Sequence, residues 1–135
     1  MDQTDCNIIQ ILEENSRITM KELGEKVHLT GQAVAARVAK LEEEGIVEGY
    51  TIQLNEGKRG YPVHAFLTIY MEKISHSPYL DFVRENEYII RNHYKISGEG
   101  CYLMECRFRS NEHLNSFLES LNRYANYKLT LVIAN

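Results

Sequence analysis

The stretch "ITMKELGEKVHLTGQAVAARVAKLEEEG" (residues 18–45) decides the fold. It opens on Thr19-Met20-Lys21-Glu22, the T-x-x-E pattern in which a threonine caps a helix N-terminus. Ile18 and Leu23 stand at the two positions of a hydrophobic staple around that cap. The helix is short and ends near Val27, and His28-Leu29-Thr30 follows as a tight turn. Thr30 then caps a longer helix, with Leu29 and Val34 repeating the staple spacing. Val34, Val38 and Leu41 recur at i, i+4 and i+7, the spacing of one buried stripe. Gly45 fits the left-handed stop beyond the last turn. Two capped helices joined by so short a turn form a helix-turn-helix.

With that stripe inward, Gly31, Gln32, Ala33, Ala36, Arg37 and Lys40 face outward. A helix that enters the major groove needs small side chains so that its backbone can approach. It also needs a few donors for base edges and phosphates. Gln32, Arg37 and Lys40 supply donors, Thr30 adds a hydroxyl for a phosphate, and Gly31 allows close approach. Phosphate would repel acids, and Glu42, Glu43 and Glu44 lie about a turn or more further on. The expectation is a surface for double-stranded DNA; the alternative is an ordinary solvated face on a small three-helix domain.

Towards the N-terminus, Asp2 caps a first helix with Asp5 placed to reach back, and Ile8, Ile11 and Leu12 share one face. "ENSR" (14–17) breaks that pattern. Towards the C-terminus the rhythm changes to alternation. Glu48 to Leu54 reads as a strand with Tyr50, Ile52 and Leu54 on one side, and "NEGKRGYP" (55–62) as a hinge. A strand over 63–71 follows, with partly apolar character on both faces. Residues 75–86 read as a helix with Pro78 in its first turn, Leu80 and Val83 inward and Phe82 alongside. Ile90 to Ser97 is a strand with Ile90, Asn92, Tyr94 and Ile96 on one side, which leaves His93 at the surface or an interface. Gly98-Glu99-Gly100 is a hairpin turn, and Tyr102 to Phe108 returns as a strand. Ser110 caps a helix carrying Leu114, Phe117, Leu118 and Leu121, and Lys128 to Ile133 closes as a strand.

The fold class is therefore α+β: an N-terminal helix-turn-helix and a C-terminal ferredoxin-like βαββαβ domain. The expected boundaries are 1–47 for the first, 48–61 for a strand and hinge linker, and 62–135 for the second. Two helices cover one face of such a sheet. Bulky apolar side chains on the other face predict a face-to-face homodimer, which presents the helix-turn-helix twice.

The 135 residues carry a net charge of −4, which argues against a general nucleic-acid-coating protein but leaves room for a local basic patch. Residues 1–54 hold five Lys/Arg against ten acids, and residues 55–135 hold ten against nine. No apolar run is long enough to span a bilayer, so the expectation is a cytoplasmic protein with no membrane partner. Cys6, Cys101 and Cys106 are odd in number and fit reduced thiols. No HxxxH or CxxC spacing predicts a metal site. No nucleophile elbow, Gly-rich phosphate loop or HExxH points to an enzyme.

The sequence resembles the Lrp/AsnC regulators over nearly its whole length. The resemblance is carried by Asp2-x-x-Asp5-x-x-Ile8-Ile9, by Arg17-Ile18-Thr19-x-x-Glu22-Leu23, and by Val34-x-x-Arg37-Val38-x-x-Leu41-Glu42-x-x-Gly45-Ile46-Val47-x-Gly49-Tyr50. Ser97-Gly98 with Tyr102-Leu103 adds to it. It implies a DNA-binding transcriptional regulator assembled from dimers, commonly four in a ring, that wraps or bends DNA. It also implies an amino-acid effector near the hairpin, here Gly98, Glu99, Gly100, Cys101 and Tyr102, and no other cofactor. The family's usual Gly-Asp-x-Asp is replaced by Gly98-Glu99-Gly100-Cys101. The alternative function is therefore an architectural DNA-wrapping protein without an effector, in which Lys58 and Arg59 would flank the duplex.

Overall fold

Three capped helices build the N-terminal part of the chain: α1 (Gln3–Glu14), α2 (Met20–Val27) and α3 (Gly31–Glu43). The computed structural model describes residues 1–72 and 74–135 and divides into two units, Met1–Gln53 and Leu54–Asn135. At the start of α1, Asp2 accepts from the Asp5 N–H at 2.9 Å and Asp5 accepts from the Asp2 N–H at 3.2 Å, a reciprocal capping box. Thr19 accepts from Glu22 N–H and Thr30 from Ala33 N–H, both at 3.1 Å. Each bond satisfies a donor that the first turn would otherwise leave orphaned.

The three helices bury Ile8, Leu12, Ile18, Leu23, Val34, Val38 and Leu41 together. Each such side chain contributes about 1.5–3 kcal/mol by leaving water. The turn between α2 and α3 is tight enough to constrain its neighbours. His28 takes a left-handed φ of 60°, and Leu29 N–H donates to Gly24 C=O at 2.9 Å. A Cβ on Gly24 would sit 2.5 Å from Leu29 O, so this position has no room for a side chain. Gly45 closes α3 with φ 74° while Ile46 N–H donates to Leu41 C=O at 3.0 Å.

One expectation fails after α3. Residues 48–54 form no strand among the described residues, and Tyr50, Ile52 and Leu54 are exposed. The alternating sequence is strand-like, but a strand needs a neighbouring backbone for its N–H and C=O groups. Among the described residues none pairs with this segment.

The C-terminal unit holds β1 (Val63–Tyr70), α4 (Ser77–Glu85), β2 (Ile90–Lys95), β3 (Tyr102–Phe108), α5 (Asn111–Leu121) and β4 (Asn126–Leu131). The strands form one sheet in the order β2-β3-β1-β4, with every neighbouring pair antiparallel. Ala65, Leu67 and Ile69 of β1 and Tyr102, Met104, Cys106 and Phe108 of β3 point to the helix-covered face. They meet Phe82 of α4 and Leu114, Phe117, Leu118 and Leu121 of α5. This is the ferredoxin-like arrangement. Burial pushes the Cys106 thiol up to about 12, with Glu105 adding to the shift, so it stays neutral.

Two inward-facing assignments change. In α4, Tyr79 and Phe82 are the buried residues, while Leu80 and Val83 are only partly buried. Tyr79 is wholly enclosed because its hydroxyl finds His93 Nε2 at 2.8 Å, so its polar tip is satisfied. In β2 the alternation breaks. Ile90 pairs with Cys106 and Asn92 with Glu105, so Arg91 is an extra, bulged residue. The bulge puts both Ile90 and His93 towards the helices and Asn92 and Tyr94 on the opposite face. His93 is therefore a half-buried core neighbour, stacked on Tyr102 with ring centroids 5.1 Å apart, not a surface residue.

Candidate nucleic-acid interface

The stripe of Val34, Val38 and Leu41 fixes the rotation of α3 about its axis, and so fixes what it shows to solvent. Gln32, Ala33, Ala36 and Lys40 are exposed, together with Ala39, which sequence reasoning left out. No carboxylate lies between residues 32 and 41, so this surface is slim and free of negative charge. Thr30 is exposed, with its hydroxyl oxygen engaged as the cap. Gly31 is half-buried where the first turns of α2 and α3 meet, and a Cβ there would lie 3.5 Å from the Lys21 backbone, an ordinary contact. That contact sets Lys21, exposed and not foreseen, beside the start of α3. The only sequence signal for it was its place two residues after the Thr19 cap.

Arg37 sits differently from its neighbours. Its Nη1 donates to both carboxylate oxygens of Asp2, at 2.8 and 2.7 Å, and to Asp5 Oδ1 at 3.2 Å. The hydrogen bond from Arg37, joined by the Asp5 N–H, holds the Asp2 carboxyl down to about 2. The guanidinium thus faces the start of α1, half-buried. Lys40 is 74 % exposed, and its Nζ is 3.9 Å from Glu44 Oε1. An exposed pair of that length is worth little and leaves the ammonium able to swing. The residues proposed for one surface therefore divide: Gln32, Ala33, Ala36 and Lys40 form it, and Arg37 braces it from the side.

The hairpin between β2 and β3 is closed by Ile96 N–H donating to Cys101 C=O at 3.0 Å, and is tied to β1 by Cys101 N–H donating to Ile69 C=O at 2.7 Å. Gly98 and Gly100 take φ of 95° and 89°, and a Cβ on Gly100 would lie 2.7 Å from Thr68 Cγ2. Glu99 accepts from Tyr70 Oη at 2.6 Å and lies 3.8 Å from Lys128 Nζ. These two groups, Tyr70 first, hold its carboxyl below the usual range. The Cys101 thiol points to Met71 C=O at 3.7 Å, and Tyr102 lies in the core with its hydroxyl 2.9 Å from His76 Nδ1. The five residues of this turn thus split between an outward carboxylate and an inward ring.

On the open face of the sheet, Glu105 binds His64 Nε2 at 2.6 Å and Asn92 Nδ2 at 2.7 Å. Phe66, Leu103 and Tyr94 share that face, and Tyr94 is 53 % exposed.

Comparison with known proteins gives a consistent picture. Residues 1–48 match the family model described as winged helix-turn-helix DNA-binding, and residues 64–135 match the Lrp/AsnC ligand binding domain. The chain is 53 % identical over 133 residues to the HTH-type transcriptional regulator LrpA of Bacillus subtilis, covering 98 % of each. It is 41 % identical over 133 residues to LrpB of the same organism, covering 98 % of this chain and 89 % of the relative. The solved structure of B. subtilis LrpC matches with a TM-score of 0.94 at 29 % identity, covering 100 % of this chain and 96 % of that one. A Neisseria meningitidis transcriptional regulator in complex with L-Met matches with a TM-score of 0.91 at 26 % identity, covering 100 % and 91 %.

Proposed function

The chain belongs to the Lrp/AsnC family of DNA-binding, helix-turn-helix transcriptional regulators, and from that premise we propose that it selects its DNA sites with the outward face of α3. The observation that carries this reading is the exposed run Gln32, Ala33, Ala36, Ala39 and Lys40 on a helix whose opposite side is locked into a core. Three alanines let the backbone approach base edges. Gln32 brings an amide able to pair with adenine, and Lys40 brings a charge for phosphate or guanine. Lys21 and Thr30 lie where phosphates would flank the helix. Arg37 acts through Asp2 and Asp5 and reads no base.

The same reading joins two chains through the open sheet face, where Phe66, Leu103 and Tyr94 lie around Glu105. The dimer offers α3 twice, and four dimers would make an octamer that bends or wraps its DNA. For an amino-acid effector, Glu99 is the group suited to an ammonium, which would compete with Lys128 for it.

The test is binding of the full chain to a library of duplexes at several salt concentrations. Gln32→Ala should cost about 1–3 kcal/mol at one base pair and leave the others alone. Lys40→Gln should weaken all sequences alike and lower the salt slope by about one. Equal binding by both variants and the parent overturns the assignment. Thermal shift with each common amino acid tests the effector reading, which falls if none responds at millimolar concentration.

A further inference from the structure

A second cationic cluster lies in the C-terminal unit, around Tyr61. The guanidinium carbons of Arg59, Arg91 and Arg109 stand 5.8, 5.1 and 5.4 Å from the Tyr61 ring centroid. Glu56 is the carboxylate among their bonded partners, at 3.3 Å from Arg59 Nη1 and 3.2 Å from Arg91 Nη2. Arg91 also donates to Tyr88 C=O, and Arg109 Nη2 donates to Tyr61 Oη at 3.3 Å. The Nε of Arg91 is buried and meets no acceptor. Arg59 and Arg109 are exposed, and Lys58 is the chain neighbour of the first.

Three guanidiniums stand around one ring and one carboxylate, Glu56, pairs with two of them, so the cluster keeps a net positive charge that an anion would offset. A guanidinium carries five donors, and the bonds above use few of them. The cation–π contacts favour holding the guanidiniums around the ring before any ligand arrives. Guanidinium forks match phosphate oxygens pairwise. We infer that Arg59, Arg91 and Arg109, gathered on Tyr61, form an anion site that takes a backbone phosphate of bound DNA.

The exposure of Arg59 and Arg109 decides the source of that phosphate. A free anion at an open surface competes with water and salt and binds weakly. A duplex presents phosphates in a dense row, and each one neutralised releases condensed counterions, which favours binding beyond what a single free anion gains. The inference therefore rests on the DNA-binding reading above.

The experiment uses the full chain and two duplexes, one covering the sites contacted by α3 and one extending several helical turns beyond them. R59Q/R109Q should lower the salt slope on the long duplex by roughly one per site, at about 0.9 per phosphate released, and leave the short duplex unchanged. R59K/R109K, which keeps the charge and loses the forks, should retain most of the slope. An unchanged slope for R59Q/R109Q on the long duplex, at the parent's melting temperature, overturns the site. Should R59Q/R109Q not fold, the arginine Nε–H NMR signals of the parent decide. Shifts with the long duplex but not with inorganic phosphate at equal phosphate concentration support the proposal. Equal shifts with inorganic phosphate, or none with either, overturn it. Loss of all binding by the parent to both duplexes would sink the α3 reading instead.

Discussion

Arg37 Nη1 holds both carboxylate oxygens of Asp2, at 2.8 and 2.7 Å, across 35 residues of sequence. Asp2 is also the N-cap of α1, so the bridge ties the first turn of one helix to the middle of another. A side chain that the sequence offers as a donor to a base edge or a phosphate is, in the fold, bonded to Asp2 and Asp5, and so braces α3 against the start of α1.

The bridge makes a pH prediction. The Asp2 carboxyl titrates at about 2 in the folded chain, against an ordinary 3.8. A depressed carboxylate stabilises the fold fully above its unfolded value and loses that contribution as pH falls through the folded one. Asp2→Asn keeps a good cap and removes the charge. Its stability deficit against the parent should be constant above about pH 5 and shrink progressively to its minimum by about pH 1. In Arg37→Ala, the NMR titration midpoint of Asp2 should return towards 3.8. A midpoint that stays near 2 would remove Arg37 as the cause.

The tight turn predicts an asymmetry between two glycines. Gly24→Ala puts a methyl 2.5 Å from Leu29 O and 3.1 Å from Thr30 C, so backbone must move. Denaturant melting should show a loss of about 1–3 kcal/mol, as overpacking usually costs, and DNA affinity should fall with it. Gly31→Ala meets the Lys21 backbone at 3.5 Å and should change stability by less than about 1 kcal/mol. Equal losses at the two positions would contradict the packing described.

His93 predicts a second pH effect, of opposite chemistry. Burial lowers its pKa from the usual 6.5. A base depressed by folding binds its proton more readily when unfolded, so stability falls as pH drops below 6.5 until the folded value is passed. His93→Phe keeps a ring against Tyr102 and leaves the Tyr79 hydroxyl without its partner. Thermal melts should show the variant less stable at pH 8, by about 1–3 kcal/mol, and with a smaller loss between pH 6.5 and 5. Parallel melting curves across that range would exclude His93 as the titrating group.

The sequence disclosed what is local. The caps at Asp2, Thr19, Thr30 and Ser110 act on N–H groups three residues away, and each is formed. The stripe of Val34, Val38 and Leu41 follows from helical period alone. What stayed hidden depends on partners distant in sequence. The bulge at Arg91 appears only when β2 is laid against β3, and it turned His93 inward. The helical pattern gives no sign that Tyr79 is enclosed, because its hydrogen-bond partner, His93, lies on β2. Arg37 and Lys40 carry the same charge on one helix, and nothing near them tells that one meets Asp2 and Asp5 while the other meets solvent.

The central claim is that DNA lies against the outward face of α3, and Ala36 is its most direct probe. Ala36 is exposed, touches none of the buried stripe by helical position, and would lie closest to the bases. Affinity of Ala36→Glu for operator DNA, measured with melting temperature and helix content matched to the parent, should fall by about 100-fold, about 2.7 kcal/mol. Unchanged affinity in a folded Ala36→Glu chain would mean that DNA meets another surface.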